Sequence, residues 1–329
     1  MAEPIVGTSV WMVTGGIGYI GGHTVPRLLA AGHQVVVLDD LSTGLPHRLP
    51  EGATLVEASV LDTDTVTRAL REHRVTGVIH FAGKKSVPES VADPMLYYQQ
   101  NVGGTTCLLS AMLRAGTMKL AYSSTAAVYG VPRKEIVDEG EPVAPINPYG
   151  HSKLTGEQMI KAVGEAHGLS WLALRYFNAV GADDVTLSDR GISNLFPLVF
   201  KAFSEGRPVL VTGDDFATHD GTGVRDYIHV ADLADAHLAA VERLNREQAA
   251  EIVNIGTGRG YSVLEVIAAL QEVVGREVPY VVGPRRPGDP AKVVASVEKA
   301  RRVLGWSAQR GLREMVASAW FARQALELA

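Results

Sequence analysis

The sequence is poor in cysteine and has neither long apolar runs nor long runs of one charge. Cys107 is the only cysteine among 329 residues, so no internal disulfide can form and a reducing compartment is favoured. No apolar run approaches the roughly 20 residues of a membrane helix, and the first residues do not resemble a signal peptide. A net charge of −5 without basic runs argues against nucleic acid and anionic membranes as partners. These absences predict a cytoplasmic protein that acts on a small molecule.

A glycine-rich turn near the N-terminus lies between a predicted strand and a predicted helix. The apolar run over residues 9–13 leads into Gly15-x-x-Gly18-x-x-Gly21, and a helical pattern follows. This spacing lets the backbone approach a pyrophosphate at a helix N-terminus. A second apolar run ends in Asp39 about 20 residues on, the expected position of a ribose-binding carboxylate. Because Asp39 would repel a 2′-phosphate, we expect NAD rather than NADP.

Predicted strands and helices alternate through the first half of the chain. Alternation of this kind implies a parallel, doubly wound sheet. The pattern is interrupted after residue 180, where loops surround one predicted helix near residues 192–205. We therefore predict an α/β fold, with a doubly wound parallel (Rossmann-like) sheet and a smaller mixed α/β C-terminal lobe. The predicted domains are an NAD-binding domain and a substrate lobe, formed by residues 1–180 plus 227–261 and by residues 181–226 plus 262–329.

Tyr149 and Lys153 have the spacing of a general base and its activating cation. Residues i and i+4 share one helix face, so the Lys153 ammonium can lie beside the Tyr149 hydroxyl and favour its ionised form. A free tyrosine has a pKa of about 10, too high for a base at neutral pH without such help. An exposed helical pair without a catalytic role would have the same spacing, so the assignment depends on the rest of the chain.

Polar residues follow predicted strands at the edge where an open sheet binds ligands. Lys85 follows the fourth strand, and Ser123 and Thr125 follow the fifth. Thr125 could hydrogen-bond the group that Tyr149 deprotonates, or it could satisfy the backbone of its own turn.

Several arginines and asparagines in the second half of the chain are candidates for phosphate and amide contacts. Arg225 and Arg286 lie in glycine- or proline-rich loops, where guanidinium groups can bind phosphate in a bidentate manner or remain solvated at the surface. Asn178 and Asn194 could be ligands or loop caps.

Taken together, the motifs resemble those of the UDP-glucose 4-epimerases, a family of extended short-chain dehydrogenases/reductases. The resemblance spans nearly the entire chain. It is carried by the glycine turn, Tyr149-x-x-x-Lys153, Asn101-Val102, Ser123-Ser124-Thr125, Arg175-Tyr176-Phe177-Asn178, residues 220–230 and Arg285-Arg286-Pro287-Gly288-Asp289. The run over residues 221–230 is the most discriminating, since many short-chain dehydrogenases share the glycine turn and the Tyr-x-x-x-Lys pair.

The resemblance implies an NAD-dependent isomerase that interconverts UDP-glucose and UDP-galactose, a reaction of galactose metabolism. In that family the tyrosine, here Tyr149, takes the proton of the sugar 4-hydroxyl while hydride passes to tightly bound, recycled NAD. The 4-keto sugar then turns over and is reduced on its other face. Lys153 and Thr125 would complete the catalytic set. The resemblance also implies a homodimer through the helices near residues 94–115 and 149–168, and no metal.

The resemblance further implies two sets of binding residues. The cofactor set is Gly15, Gly18, Tyr19, Ile20, Asp39, Ser59, Val60, Phe81, Ala82, Lys85, Asn101, Ser123, Tyr149, Lys153 and Tyr176. The substrate set is Lys85, Thr125, Tyr149, Asn178, Asn194, Leu195, Leu210, Arg225, Arg286, Asp289 and Val293.

Some positions depart from the family pattern. Ser59-Val60 replaces the usual Asp-Ile or Asp-Leu pair at adenine, and Ala179 replaces a proline. Val293 lies where a bulky tyrosine is associated with exclusion of N-acetylated sugars, so we hypothesise that UDP-N-acetylhexosamines are also accepted.

Two rival functions share much of this pattern. The first is another NAD-dependent nucleotide-sugar enzyme, such as a uronate epimerase, decarboxylase or dehydratase. Ala126-Ala127 argues against a 4,6-dehydratase, which would normally have an Asp-Glu pair there. The second is a non-catalytic NAD-binding protein, and the intact Tyr149, Lys153 and Thr125 argue against it.

Overall fold

The computed structural model describes residues 9–191, 194–286 and 288–328, which form layers of helices and sheets. The strands, in chain order, are β1 (Val10–Thr14), β2 (Gln34–Asp39), β3 (Ala53–Glu57), β4 (Gly77–His80), β5 (Lys119–Thr125), β6 (Ile136–Val137), β7 (Ser170–Tyr176), β8 (Asn178–Val180), β9 (Val209–Thr212), β10 (Val224–His229), β11 (Ala250–Ile255), β12 (Gly260–Ser262), β13 (Tyr280–Gly283) and β14 (Lys292–Ala295). The α-helices are α1 (Tyr19–Ala30), α2 (Thr63–Glu72), α3 (Val87–Ala92), α4 (Pro94–Tyr97), α5 (Gly104–Ala115), α6 (Pro148–His167), α7 (Leu195–Ser204), α8 (Val230–Arg246), α9 (Val263–Val274), α10 (Glu298–Leu304) and α11 (Leu312–Leu328).

The largest sheet is parallel and has seven strands in the order β11-β7-β5-β4-β1-β2-β3. Its strands are rich in branched apolar residues because both faces are covered by helices. Successive residues of β1 serve opposite faces: Trp11 and Val13 belong to one buried cluster, and Met12 belongs to another. Helices α1 and α8 pack together on the first face, and α2 and α5 pack together on the second. The strand order reverses between β1 and β4, which creates a crevice at the carboxyl ends of the strands.

Two smaller sheets form the mixed α/β part of the fold. One has the order β12-β10-β14-β6, with β8 also pairing with β10, and the other joins β9 and β13. Strands as short as Ile136–Val137 have too few residues for a periodic signal, so the sequence analysis did not identify them. The first two residues of the helix predicted near 192–205 lie outside the described residues, and α7 begins at Leu195.

The predicted single helix over residues 94–115 is divided into three segments. The π-helical turn Tyr98–Gly103 joins α4 to α5. The sequence pattern indicates a helix here but does not report whether its hydrogen bonds span four or five residues, so this rare kind of turn was not predicted. The turn matters for the site because it contains Asn101, whose side chain points to the strand ends.

Candidate active site

The glycine turn forms a cradle that only small residues can build. Gly15 has φ +69°, a left-handed conformation, and a Cβ there would lie 2.8 Å from the backbone nitrogen of Ala82. A Cβ on Gly21 would overlap the carbonyl oxygen of Gly15. Gly18 precedes α1, so the free backbone N–H groups of that helix face the crevice. The cradle therefore fits a pyrophosphate group.

Asp39 ends β2 at the far side of the cradle and is only 6% exposed. One carboxyl oxygen accepts a hydrogen bond from the Leu41 N–H at 3.0 Å, and the other accepts one from the Ile17 N–H at 3.4 Å. Burial raises the pKa of Asp39, and these backbone donors oppose the rise. Each oxygen has a further lone pair, so the carboxylate can also accept ribose hydroxyls.

The cradle opens into a cleft of about 410 Å³ at the carboxyl ends of the large sheet. Most of the predicted cofactor set lines this cleft: Gly15, Gly18, Tyr19, Ile20, Asp39, Val60, Phe81, Ala82, Lys85, Ser123, Tyr149, Lys153 and Tyr176. Ser59 and Asn101 do not line it. The Ser59 hydroxyl accepts from the Leu61 N–H, and Asn101 holds the neighbouring loop through the Lys84 N–H at 2.7 Å.

Helix α6 places the Tyr149 and Lys153 side chains at the base of the cleft. Asn147 caps the N-terminus of this helix, because its side chain accepts a hydrogen bond from the Gly150 N–H at 2.9 Å. Pro148 occupies the first helical position, where proline is favoured. Tyr149 is 8% exposed and Lys153 is 5% exposed. The Lys153 ammonium donates to the backbone carbonyl of Ser123 at 2.9 Å. Tyr149 and Lys153 are therefore buried against β5. The alternative interpretation of their spacing, an exposed helical pair without a catalytic role, does not fit this burial.

Thr125 ends β5 beside Tyr149, and its hydroxyl satisfies the backbone of its own turn, the second of the two roles expected for it. Its hydroxyl accepts from the Ala127 N–H at 3.1 Å, which begins a short 3₁₀ turn. A hydrogen bond with Thr125 also lowers the pKa of Tyr149. A hydroxyl has one donor and two acceptor positions, so the two contacts are compatible.

Burial has the largest effect on both titratable groups of the α6 pair. It raises the pKa of Tyr149, and the Thr125 hydrogen bond only partly offsets this. Burial lowers the pKa of Lys153 to about 8, against the attraction of Glu157. The protein groups described thus hold the phenol neutral and bring the ammonium close to its titration range.

The predicted substrate residues are spread more widely. Of that set, only Lys85 and Tyr149 line the cleft. Asn178 donates to the Asp226 carbonyl at 3.0 Å, and Arg225 lies 4.0 Å from Asp289. Asn194 borders a much smaller neighbouring cavity. The remaining members lie on α7, β9, β14 and the loop before β14, namely Leu195, Leu210, Val293 and Arg286.

Several cleft residues were missed by the sequence analysis. Ser42, Thr43 and Arg48 follow β2, and Asp189 and Arg190 lie in the segment after β8; all five line the cleft. Arg48 bonds the Ser188 carbonyl at 2.6 Å, and Lys85 lies 3.3 Å from Asp189. These contacts join segments about 100 to 140 residues apart in sequence, which no local pattern reveals.

Among the described residues, no helix has the length and apolar character needed to cross a bilayer. The same part of the chain contains no cluster of three or more His, Cys, Asp or Glu residues suited to a metal ion.

Comparison with known proteins places this geometry in a family. The model of the NAD dependent epimerase/dehydratase family matches residues 11–256. The chain belongs to that family. The chain is also 46% identical to a UDP-glucose 4-epimerase of Azospirillum brasilense, over 90% of this chain and 86% of that protein. It is 45% identical to the UDP-glucose 4-epimerase of Bacillus subtilis (strain 168), over 94% and 95% of the two chains.

Solved structures agree with the sequence relatives. A UDP-glucose 4-epimerase of Stenotrophomonas maltophila, with bound NAD and formylated UDP-arabinopyranose, has a TM-score of 0.93 and 38% identity, covering 98% of this chain and 100% of that one. A Bifidobacterium longum UDP-glucose 4-epimerase in complex with NAD+ and UDP has a TM-score of 0.87 and 39% identity, covering 96% and 98%. The predicted Rossmann-like fold, the NAD cofactor and the UDP-sugar 4-epimerase class are confirmed, and the rival functions are not favoured.

Proposed function

We propose that this NAD-dependent epimerase interconverts UDP-glucose and UDP-galactose, with Tyr149 as the catalytic base. The observation that carries the proposal is the burial of Tyr149, Thr125 and Lys153 together at the end of β5, next to a glycine cradle that fits a pyrophosphate. NAD, when bound there, supplies the hydride acceptor and donor at the sugar C4. The chain itself must then move one proton and keep the sugar oriented.

Tyr149 moves the proton in both directions. Its phenolate takes the proton of the 4-hydroxyl as the C4 carbonyl forms, and the resulting phenol returns it when the carbonyl is reduced. Thr125 helps because a hydroxyl can donate to the substrate oxygen or to the phenolate as charge shifts between them. A positioned general base of this kind contributes roughly 10²–10⁴-fold to the rate.

Lys153 supplies the positive charge that stabilises the ionised form of Tyr149 near neutral pH. Burial alone raises the pKa of Tyr149, so a nearby cation has to reverse that effect. Each unit by which the phenol pKa falls corresponds to about 1.4 kcal/mol of preference for the phenolate. Lys153 can act only while protonated, and its pKa is lowered to about 8. We therefore expect turnover to decline as pH rises through that value.

The uridine diphosphate would be anchored outside the catalytic cleft, so that the 4-keto hexose can turn over. Arg225 is largely buried, with 22% of its side chain exposed, and burial lowers its pKa. Because burial destabilises the positive charge, an anion beside the guanidinium would stabilise it. Its present carboxylate neighbour Asp289 is 4.0 Å away, so the guanidinium retains donors for phosphate. The other proposed UDP contacts are Asn178, Asn194, Leu195, Leu210, Arg286 and Asp289.

The chain has two sets of elements that suit the proposed division of labour. Residues 1–180 and 227–261 would bind NAD and contain the whole seven-stranded sheet. Residues 181–226 and 262–329 would bind the UDP-sugar and contain β9, β13 and β14. The single Cys107 is consistent with a cytoplasmic location. Ligand-bound crystals would test the division, which is wrong if UDP contacts only the first set.

We also propose a homodimer through the helices near residues 94–115 and 149–168. In the first of these regions Met95 and Tyr98 expose 61% and 37% of their surface. Apolar groups so exposed favour a protein–protein contact. Light scattering at micromolar concentration should give a dimer mass that Met95→Glu reduces; a wild-type monomer would contradict the proposal.

The proposed reaction is tested by incubating the purified protein with UDP-galactose without added cofactor. Separation of the C4 epimers should show UDP-glucose forming without net NADH, because the hydride is returned to the same molecule. UDP-N-acetylgalactosamine and UDP-galacturonate serve as parallel substrates. Absence of interconversion for UDP-galactose, repeated with added NAD, would reject the proposal.

A further inference from the structure

Helix α6 presents a third polar residue in line with Tyr149 and Lys153. Glu157 follows Lys153 by four residues, so all three side chains lie on one helix face. Glu157 is 3% exposed and is buried opposite Arg175. Its two oxygens accept from Arg175 Nε at 2.9 Å and from an Arg175 terminal nitrogen at 2.6 Å. This bidentate pair joins α6 to β7 directly behind the catalytic residues.

Glu157 and Lys153 attach α6 to consecutive residues of one strand. The Lys153 ammonium donates to the Ser123 carbonyl at 2.9 Å, and the Ser124 hydroxyl donates to Glu157. The helix can approach β5 so closely because residue 156 is glycine, where a Cβ would overlap the Tyr122 hydroxyl. The residue after Ser124 is Thr125, which faces Tyr149. Three successive residues of β5, Ser123, Ser124 and Thr125, thus contact Lys153, Glu157 and Tyr149 of α6, respectively.

Lys153, Glu157 and Arg175 form a buried charged cluster behind Tyr149. Among the described residues, its charged side chains are Lys153 and Arg175, which are positive, and Glu157, which is negative. The cluster therefore has a net charge of +1 while Tyr149 is neutral. Ionisation of Tyr149 would bring it to zero.

The remaining titratable groups that face the cluster are neutral, apart from two carboxylates at its edge, Glu89 and Glu139; Glu139 accepts from the Asn254 N–H and helps to raise the pKa of Tyr129. His80 of β4 is kept neutral because burial lowers its pKa to about 3. The rings of Tyr122, Tyr176 and Tyr129 face the cluster from β5, β7 and the 3₁₀ turn, and burial raises the pKa of each. From α4, Tyr97 contacts the Tyr149 ring and donates to Glu89 of α3 at 2.8 Å.

We propose that Glu157 is a positioning residue for the reaction: it keeps Lys153 protonated in a buried site that also contains Arg175. Without this carboxylate, the cluster would contain two buried cations and no buried anion, and Lys153 would lose its proton most easily because a guanidinium cannot. Loss of the proton removes the charge that favours the Tyr149 phenolate. Glu157 thereby extends the pH range in which the base works. This inference rests on the proposed role of Tyr149.

The test compares pH profiles of kcat/KM for UDP-galactose in the NAD-containing enzyme. Glu157→Gln should move the basic limb to lower pH by about one unit, the size expected for loss of one nearby charge. The double variant Glu157→Gln/Arg175→Gln restores the net charge of +1, so its basic limb should return close to that of the wild type. Ser124→Ala is the matched control, since it removes a hydrogen bond to Glu157 without changing charge and should leave the limb unmoved.

A purely structural ion pair gives a different result. In that case Glu157→Gln lowers the melting temperature and the kcat but leaves the basic limb in place, which overturns the proposal. A double variant shifted as far as the single variant also overturns it. If Glu157→Gln does not fold, Glu157→Asp keeps the charge and should keep the wild-type limb, and the double variant still supplies the charge comparison.

A titration without turnover separates this inference from the proposed function. The tyrosinate absorbance of wild type minus that of Tyr149→Phe reports the ionisation of Tyr149, even if UDP-galactose is not a substrate. Because Lys153 loses its proton earlier in Glu157→Gln and then no longer favours the phenolate, the apparent pKa of Tyr149 in this difference titration should rise. An unchanged value would reject the role of Glu157, whereas a shifted value without epimerisation would reject only the proposed reaction.

Discussion

The cofactor side and the substrate side of this protein are built in different ways. The cofactor side consists of strand ends and one glycine turn of a single sheet, and its predicted residues converge on one cleft. The substrate side draws on β8, α7, β9, β10 and β14, and most of its predicted residues do not reach that cleft. Asp39 is 6% exposed, whereas Leu210 is 60% exposed. The protein scaffold fixes the first side, and substrate contacts have to complete the second.

The contrast has an energetic meaning. The glycine cradle and Asp39 are held by backbone contacts that exist before any ligand binds, so little ordering is required when NAD enters. Exposed residues such as Leu210 of β9 and Arg286 of the loop before β14 lose side-chain freedom on binding, about 0.5–1.5 kcal/mol for each immobilised side chain. We therefore expect the protein to retain NAD more tightly than it retains a sugar nucleotide.

The largest expected effect on turnover comes from Tyr149, which belongs to both the predicted cofactor set and the predicted substrate set. Tyr149→Phe removes the proton acceptor but keeps the ring that packs against Tyr97 with centroids 6.3 Å apart. We expect kcat to fall by roughly 10²–10⁴-fold, the usual contribution of a positioned base. Bound NAD, measured after denaturation and filtration, should be retained. Turnover within a factor of two of the wild type would remove Tyr149 from the role of base.

A cofactor-side variant should abolish NAD retention without touching any substrate residue. Gly21→Ala places a methyl group against the Gly15 carbonyl, so the first turn of α1 has to shift. Overpacking of this kind costs about 1–3 kcal/mol of stability and should widen the cradle, so NAD is lost during purification. The measurement is the NAD content per chain, together with the melting temperature.

Gly22→Ala is the matched control for that experiment. It lies one residue further along α1, and its Cβ would meet the side chains of Arg48 and Leu187 at an ordinary van der Waals distance of 3.4 Å. Alanine also favours a helix over glycine by about 1 kcal/mol. Retention of NAD in both variants would show that close packing in the cradle is not what holds the cofactor.

The same two sides explain what the sequence could predict. The large sheet and the cradle depend on local signals, namely alternating elements and glycine spacing, so their residues could be identified in advance. Glu157 and Arg175 could not be paired by reading the chain, because the pair depends on how α6 packs against β7. Arg48 and Asp189 likewise reach the cleft through contacts between distant segments. On the substrate side, the resemblance to a family supplied residues whose geometry no local pattern specifies.

A substrate-side variant should weaken sugar-nucleotide binding and leave NAD in place. Arg225→Ala removes a guanidinium that we propose to contact the diphosphate. Loss of a charged hydrogen bond is worth about 1.5–3 kcal/mol, so KM for UDP-galactose should rise roughly 10-fold to 150-fold with a smaller change in kcat. The control is Arg259→Ala, an exposed arginine near β12 without a proposed role. Equal KM values for wild type and Arg225→Ala would exclude Arg225 from the substrate site.

Substitution of Val293 is expected to have the smallest effect on UDP-galactose turnover. It should instead change which UDP-sugars are accepted as substrates. Val293 pairs with Arg225 across β14 and β10 and packs beside the buried cluster that includes Phe177 and Ala295. Val293→Tyr adds a bulky ring where we propose that an N-acetyl group fits, so turnover of UDP-N-acetylgalactosamine should fall while that of UDP-galactose stays nearly constant. Val293→Ile adds only one methylene and should lie between the two. If the wild type does not epimerise the N-acetylated sugar, the hypothesis is wrong, because a small residue at 293 would then be insufficient to admit it.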